Sequence, residues 1–119
     1  GEKYHEKAYN EFDFKQFMPC SFSPAGYKTA FDAFANALAL LLNLGSAAFQ
    51  SKILSHCNAL TAQMDLNLIP AFWPPIYPED PDWNLLKNNC KYEFRNFPNT
   101  FHNGGVWPMV NGFYGIALV

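Results

Sequence analysis

A chain of 119 residues is long enough for one domain and too short for a large multidomain enzyme. Half of the residues are hydrophobic and 18% are aromatic, a composition that excludes a disordered chain. The formal charge is −2, from 10 acidic and 8 basic side chains, and no basic cluster occurs. We therefore expect neither nucleic acid nor an anionic membrane as a partner.

The cysteines indicate a reducing compartment. Cys20, Cys57 and Cys90 lack the spacing of metal ligands, and an odd number does not make a closed disulfide framework. The charged amino-terminal segment lacks the apolar core of a signal peptide, so we expect a cytoplasmic protein. No metal and no organic cofactor is indicated. The longest strongly apolar region, Ala33 to Leu44, is shorter than the roughly 20 residues of a membrane-spanning helix, so we expect no membrane partner.

Two consecutive helices are predicted after an initial loop. Residues 21–29 contain a proline and a glycine and predict a loop, and Thr29 can cap a helix that runs through Leu44 and ends at Gly45. Ser46 can cap a second helix over residues 47–60, in which apolar residues recur at helical intervals. The short connection between them predicts an antiparallel helical hairpin.

A loop rich in proline and aromatic residues follows. Residues 70–81 contain five prolines, which exclude a regular helix or a central strand. Such a loop can form a wall of a binding cleft, because prolines lower its ordering cost and rings stack on sugar faces. Trp73 is a candidate stacking residue, with core filling as the alternative. Asp82 is expected to cap a short helix through Asn89.

Residues 100–108, Thr-Phe-His-Asn-Gly-Gly-Val-Trp-Pro, carry the groups that a sugar site needs. The histidine and asparagine offer hydrogen-bond donors and acceptors, the tryptophan offers a flat apolar face, and the glycines let the backbone pass close to a ligand. The proline is expected to open a helix, which puts the tryptophan at its mouth. The alternative is a Gly-Gly loop before a helix start. The candidate substrate-binding residues here are His102, Asn103, Gly104, Gly105 and Trp107.

Asp32 and Tyr27 are further candidates for contact with a sugar. Asp32 is expected near the start of the first helix, where the helix dipole favours a carboxylate that can accept hydrogen bonds from hydroxyl groups. Its alternative role is that of a helix-start carboxylate only. Tyr27 lies in the preceding loop and is expected to face the same region.

The last predicted helix covers Pro108 to Val119 and is apolar over most of its length. Exposed apolar surface of this kind marks an interface, so we expect it to pack against the rest of a larger domain or against a second copy. Gly112 and Gly115 each lower helix stability by about 1 kcal/mol relative to alanine, and close packing against another helix would explain them.

The pattern His-Asn-Gly-Gly-x-Trp-Pro in residues 100–108 resembles the hallmark segment of neutral/alkaline invertases and their relatives among the α/α-toroid glycoside hydrolases. Residues 23–27, followed by residues 31–41, are similar to the Phe-Asp-x-x-Gly-Asn-x-Leu-Ala-Ile-Leu helix that precedes this hallmark in the family. One departure is Ala35, which stands where the family usually has glycine.

A third block extends the resemblance. Residues 69–71 and 74–76 resemble the proline-rich loop that these enzymes carry between the two other blocks, so the resemblance covers about residues 17–119 in the family's order. Residues 31–34 and 106–108 are also similar to amylo-α-1,6-glucosidase-like proteins.

The resemblance implies a mainly α-helical fold, part of an (α/α) toroid in which helical hairpins are joined by long proline- and aromatic-rich loops. It implies that residues 1–119 are one fragment of a larger glycoside hydrolase domain that acts on an α-glucoside such as sucrose or an oligosaccharide. In that family the general acid lies upstream and the nucleophile downstream of the matched region, so no catalytic residue is assigned here. The alternatives are a noncatalytic carbohydrate-binding module and a structural helical module.

Overall fold

The computed structural model describes residues 16–23, 26–88 and 92–119, which form four helices and a three-stranded antiparallel sheet. The prediction of a mainly α-helical toroid segment is therefore wrong. No helix in the described part of the chain is both long and apolar enough to cross a membrane. The elements in chain order are β1 (Pro19–Ser23), β2 (Gly26–Asp32), α1 (Ala33–Leu41), α2 (Ala47–Thr61), β3 (Phe72–Trp73), α3 (Trp83–Asn88) and α4 (Pro108–Ala117).

The sheet occupies the region where a loop and a helix start were predicted. β1 and β2 form an antiparallel pair, with Ser21 opposite Lys28. β2 also pairs with β3, so that Phe31 lies opposite Trp73. Pairing with β1 over residues 26–31 and with β3 at Phe31 and Asp32 holds this segment extended, so the predicted helix start at Thr29 is wrong. The prolines after β3 are tolerated because β3 is an edge strand.

Helix α1 begins only after this strand ends. The Asp32 side chain caps it, since its Oδ1 atom accepts a hydrogen bond of 3.0 Å from the Ala35 backbone N–H. The helix ends before Asn43, and both Asn43 (φ 54°) and Gly45 (φ 82°) adopt the left-handed conformation that reverses the chain. α1 packs more extensively on α4 than on α2. Its main partner is thus distant in sequence, unlike a toroid built from consecutive helical hairpins.

The prediction for α2 is confirmed to within one residue. The Ser46 hydroxyl accepts a hydrogen bond of 3.2 Å from the Phe49 N–H and caps the helix. Ile53, Cys57 and Leu60 recur at intervals of three and four residues and are fully buried. This apolar stripe is the reason why the helix was predictable from the sequence alone.

Two asparagines fasten distant parts of the backbone. The Asn36 amide in α1 accepts a hydrogen bond from the Met18 N–H at 2.8 Å and donates to the Met18 carbonyl at 3.0 Å. The Asn111 amide in α4 binds the N–H and carbonyl of Ile69 in the same way, at 2.9 and 3.0 Å. In both cases the side chain replaces a strand neighbour for one residue. These bonds satisfy backbone groups that would otherwise be costly to bury.

Helix α4 begins as predicted, with Pro108 at its first position and Trp107 as the flanking residue. Val110 and Tyr114 join the core. Gly112 and Gly115 lie on the exposed side, where an added Cβ atom would meet no atom within 4 Å. The predicted close packing of a helix against these glycines is therefore not found in the described part of the chain.

Candidate functional site

A short run of backbone hydrogen bonds brings the start of α1 beside the 100–108 segment. The Ala33 N–H donates to the Ala71 carbonyl at 3.1 Å, and the Ala71 N–H donates to the Gly105 carbonyl at 2.8 Å. Ala71 thus links two segments that are far apart in sequence. As a result Asp32, which precedes α1, lies near Trp107, which precedes α4.

A cavity of about 230 Å³ lies at this junction, and we call it the stacking cavity. Three of the sequence-predicted site residues, Asp32, His102 and Trp107, line it together. The His102 imidazole stacks on the Trp107 indole with ring centroids 4.5 Å apart and an interplanar angle of 22°. The other lining residues are Phe34, Ala71, Phe72, Met109 and Val110. The cavity therefore combines one carboxylate and a pair of stacked rings with apolar walls.

Asp32 has hydrogen-bonding capacity left after it caps α1. Its Oδ1 atom accepts the Ala35 N–H, whereas its Oδ2 atom has no hydrogen-bond partner among the described residues. The amino-terminal end of α1 carries partial positive charge, which stabilises the carboxylate at this position. Both roles predicted for Asp32 are therefore geometrically compatible, one oxygen for the helix and one for the cavity.

Asn103, like Asn36 and Asn111, bonds through its side-chain amide to the backbone of a distant residue, and it does not line the stacking cavity. Its side chain is 2% exposed. Its Oδ1 atom accepts the Ile76 N–H at 2.6 Å, and its Nδ2 atom donates to the Ile76 carbonyl at 2.7 Å and to the Asn96 carbonyl at 3.0 Å. Both the oxygen and the nitrogen of the Asn103 amide are therefore bonded within the protein. The side chain joins the 100–108 segment to the proline-rich loop, which is a positioning role and not the predicted contact with a sugar.

Gly104 and Gly105 are needed for close contacts within the protein. A Cβ atom on Gly104, which has a φ angle of 88°, would lie 2.8 Å from the Pro75 ring. A Cβ atom on Gly105 would lie 2.5 Å from the Phe101 carbonyl oxygen and 2.6 Å from the Phe101 backbone nitrogen. Both glycines are buried, so the close approach predicted for a ligand is made to neighbouring protein instead.

The remaining two candidates are Trp73, which does not line the stacking cavity, and Tyr27, whose side chain the structure does not describe. Trp73 is half-buried, packs against the core and lines neither of the two described cavities. Its core-filling alternative fits this placement. Tyr27 belongs to β2, which corrects the prediction that it lies in a loop, and its side chain is outside the described part of the structure.

A second and larger cavity, of about 560 Å³, lies on the proline-rich loop, and we call it the proline cavity. Its charged residues are Lys28, Asp80 and Asp82, and the Lys28 ammonium forms an ion pair with the Asp82 carboxylate. Sequence reasoning predicted that the loop forms a cleft wall and missed these charges, because 54 residues separate Lys28 from Asp82. The apolar walls come from Ala30, Phe72, Pro74, Pro75, Ile76, Pro81, Leu85 and Leu86, and Cys20 and Thr29 complete the lining.

Three groups whose pKa burial shifts, Cys57, Tyr114 and His56, line neither cavity. Burial raises the pKa of the Cys57 thiol to about 11, and burial followed by the charge of Cys57 raises the pKa of Tyr114 to about 12. Burial lowers the pKa of His56, whose Nε2 atom is buried without a hydrogen-bond partner. None of the described residues forms a group of three or more potential metal ligands.

The fold and its cavities define a small domain of mixed helices and strands with two candidate ligand sites. No family model, no curated protein and no solved structure matches this chain. The resemblance to glycoside hydrolases therefore remains a prediction that rests on the residues that carry it.

Proposed function

We propose that this protein binds a carbohydrate of the α-glucoside class in the stacking cavity. The observation that carries the proposal is the stacked pair of His102 and Trp107, with ring centroids 4.5 Å apart, in the same cavity as Asp32. A sugar presents apolar C–H faces together with hydroxyl groups, and this cavity offers aromatic rings beside a carboxylate. The resemblance of residues 100–108 to glycoside hydrolases selects glucosides as the first ligands to test.

The carboxylate and the stacked rings have different roles in this proposal. The Asp32 Oδ2 atom, which has no hydrogen-bond partner among the described residues, accepts a hydrogen bond from a sugar hydroxyl, and such charge-assisted bonds are stronger than neutral ones. Because His102 and Trp107 are stacked on each other, one of them packs its outer face against a C–H face of the sugar and the other holds that ring in place. Gly105 acts indirectly, because its carbonyl anchors the loop that holds Asp32 in place.

The size of the cavity favours one sugar ring over a long oligosaccharide. Its volume of about 230 Å³ is below the range of about 300–1,000 Å³ that is typical of small-molecule sites. A hexose has about 12 non-hydrogen atoms, and at about 0.3 kcal/mol per atom it would bind with a dissociation constant in the millimolar range.

The proposal concerns binding and assigns no bond cleavage to the described residues. Glycoside hydrolysis generally needs two carboxyl groups that face each other across the scissile bond. Among the described residues that line the stacking cavity, Asp32 is the one carboxylate. Hydrolysis is a second proposal, supported by the sequence resemblance, and it requires another carboxylate at this site.

Calorimetric titration of the protein with sucrose and maltotriose tests the proposal. We expect saturable binding, weakened about tenfold by His102→Ala, which corresponds to about 1.4 kcal/mol. His102 is exposed, so its loss leaves the core intact. Tyr77→Ala is the matched control, because Tyr77 is exposed and lines neither cavity, and it should leave affinity unchanged.

The same titration separates sugar binding from a purely structural role of the stacked rings. If neither sugar binds the wild-type protein and His102→Ala only lowers the melting temperature, the stack serves to hold α4 in place. That result would rule out the carbohydrate proposal and leave the structural module as the function.

A further inference from the structure

We propose that the proline cavity is a second binding site and that it takes a small organic cation, an apolar ring system that carries an amine. The proposal does not rest on sugar binding, although Phe72 lines both cavities. The proposal rests on the volume and rigidity of the cavity, on its apolar walls and on the charges at its rim.

The proline cavity has the size and stiffness of a preformed small-molecule site. Its volume of about 560 Å³ falls within the range of about 300–1,000 Å³ that is typical of such sites. Pro74, Pro75 and Pro81 contribute to its wall, and prolines have little conformational freedom to lose on binding. Ile76 is held through both of its backbone polar groups by Asn103. A ligand therefore meets a wall that is already in place.

The walls of the cavity are suited to an apolar ring system. Phe72, Ile76 and Leu86 line it, and the side chain of Leu85 at the same cavity is 61% exposed. A ligand that covers Leu85 removes this apolar surface from water, which favours binding. A ligand rich in hydroxyl groups would lose hydrogen bonds to water here without replacing them.

The charges at the rim favour a cation. The Lys28 ammonium is paired with the Asp82 carboxylate. The Asp80 carboxylate accepts a hydrogen bond of 2.6 Å from the Tyr77 N–H through Oδ2, and its Oδ1 atom has no hydrogen-bond partner among the described residues. Two carboxylates and one ammonium leave the lining with a net negative charge. An amine at the rim would therefore be attracted, and a carboxylate would be repelled.

The thiol of Cys20 is a reporter group in the lining of the proline cavity. Its pKa is raised first by burial and then by the charge of Asp32, with Asp82 acting in the same direction against Lys28. Cys20 is also exposed, so it can report on occupancy of the cavity.

A matched series of three ligands tests the proposal by calorimetry. Naphthylethylamine, naphthylethanol and naphthylacetate share one ring system and differ in charge. We expect saturable binding in the order amine, alcohol, carboxylate, with at least a tenfold difference between the first and the last. Equal affinity for all three, or no saturable binding at millimolar concentration, would overturn the proposal.

Three variants and a labelling experiment locate the bound amine. Asp80→Asn keeps an acceptor for the Tyr77 N–H and should abolish the preference for the amine, whereas the exposed Asp65→Asn should not change it. Leu85→Ser should weaken all three ligands about threefold or more. Naphthylethylamine should slow the alkylation of Cys20 by iodoacetamide, which peptide mass mapping measures. Binding of the amine with unchanged Cys20 alkylation would place it elsewhere and refute the site.

Discussion

Phe72 lines both the stacking cavity and the proline cavity, yet the two cavities differ in volume and in the groups that they offer a ligand. The stacking cavity measures about 230 Å³ and holds Asp32 beside two stacked rings, whereas the proline cavity measures about 560 Å³ and is mainly apolar. The residue types in its lining identify the smaller cavity as a candidate site, whereas volume and rigid walls identify the larger one. Residue types in a short motif therefore identify only one of two sites.

Asn103 and Gly104 adjoin residues that line the two cavities. Asn103 binds the backbone of Ile76, which lines the proline cavity, and it directly follows His102, which lines the stacking cavity. Gly104 packs against Pro75 in the wall of the larger cavity. Changes at residues 103–105 should consequently affect both cavities, and changes at His102 or Asp80 should affect one.

The largest effect is expected for Gly105→Ala. The new methyl group would lie 2.5 and 2.6 Å from backbone atoms of Phe101, so the loop must move, and we expect the free energy of unfolding to fall by about 3 kcal/mol. Gly112→Ala is the matched control, because nothing lies within 4 Å of its added Cβ and alanine favours a helix by about 1 kcal/mol. Urea unfolding measures both. Equal stability of the two variants would contradict the described loop.

A smaller loss is expected for Asn103→Ala, about 2 kcal/mol, because it leaves the N–H and carbonyl of Ile76 without partners. Binding of ligands at both cavities should weaken together, since Asn103 positions both walls. Asn58→Ala on the exposed side of α2 serves as the control and should be nearly neutral. A variant of wild-type stability that loses only sugar affinity would instead show that Asn103 contacts the sugar directly.

The smallest effect is a dependence of stability on pH through His56, which lines neither cavity. Burial lowers the pKa of His56 below its ordinary value of 6.5, so the unfolded chain binds this proton first as the pH falls. Its contribution to stability is present above pH 6.5 and is lost as the pH falls through the folded-state pKa. Thermal melts between pH 7 and pH 5 should show a shallower decline for His56→Phe than for the wild type. Parallel declines would contradict this assignment.

The sequence predicted those elements whose signals are local. The Ser46 cap and the buried stripe of α2 lie within one helix, and Pro108 marks the start of α4 by itself. The β1–β2 hairpin was missed because residues 21–29 resemble a loop, and only pairing with β3 extends the second strand to Asp32. The toroid was wrong because α1 packs mainly on α4, a contact that no short segment encodes.

The same distinction applies to the candidate site. His102 and Trp107 are five residues apart, so their proximity was predictable, whereas Asp32 reaches them only through the backbone link at Ala71. The sequence did not show that the Asn103 amide bonds to the Ile76 backbone, or that Gly104 and Gly105 lie against Pro75 and Phe101. The sequence shows which hydrogen-bonding groups a side chain has, but it does not show which of them are already bonded to neighbouring residues.

The central claim is that a sugar binds at the stacked rings, and the indole N–H signals of the three tryptophans test it most directly in a ¹⁵N-labelled sample titrated with sucrose and maltotriose. Trp107 lines the stacking cavity, while Trp73 and Trp83 line neither cavity and act as internal controls. We predict a saturable shift of the Trp107 signal with both control signals unmoved. A Trp107 signal that stays fixed at saturating sugar, or equal shifts of all three signals, would contradict the account.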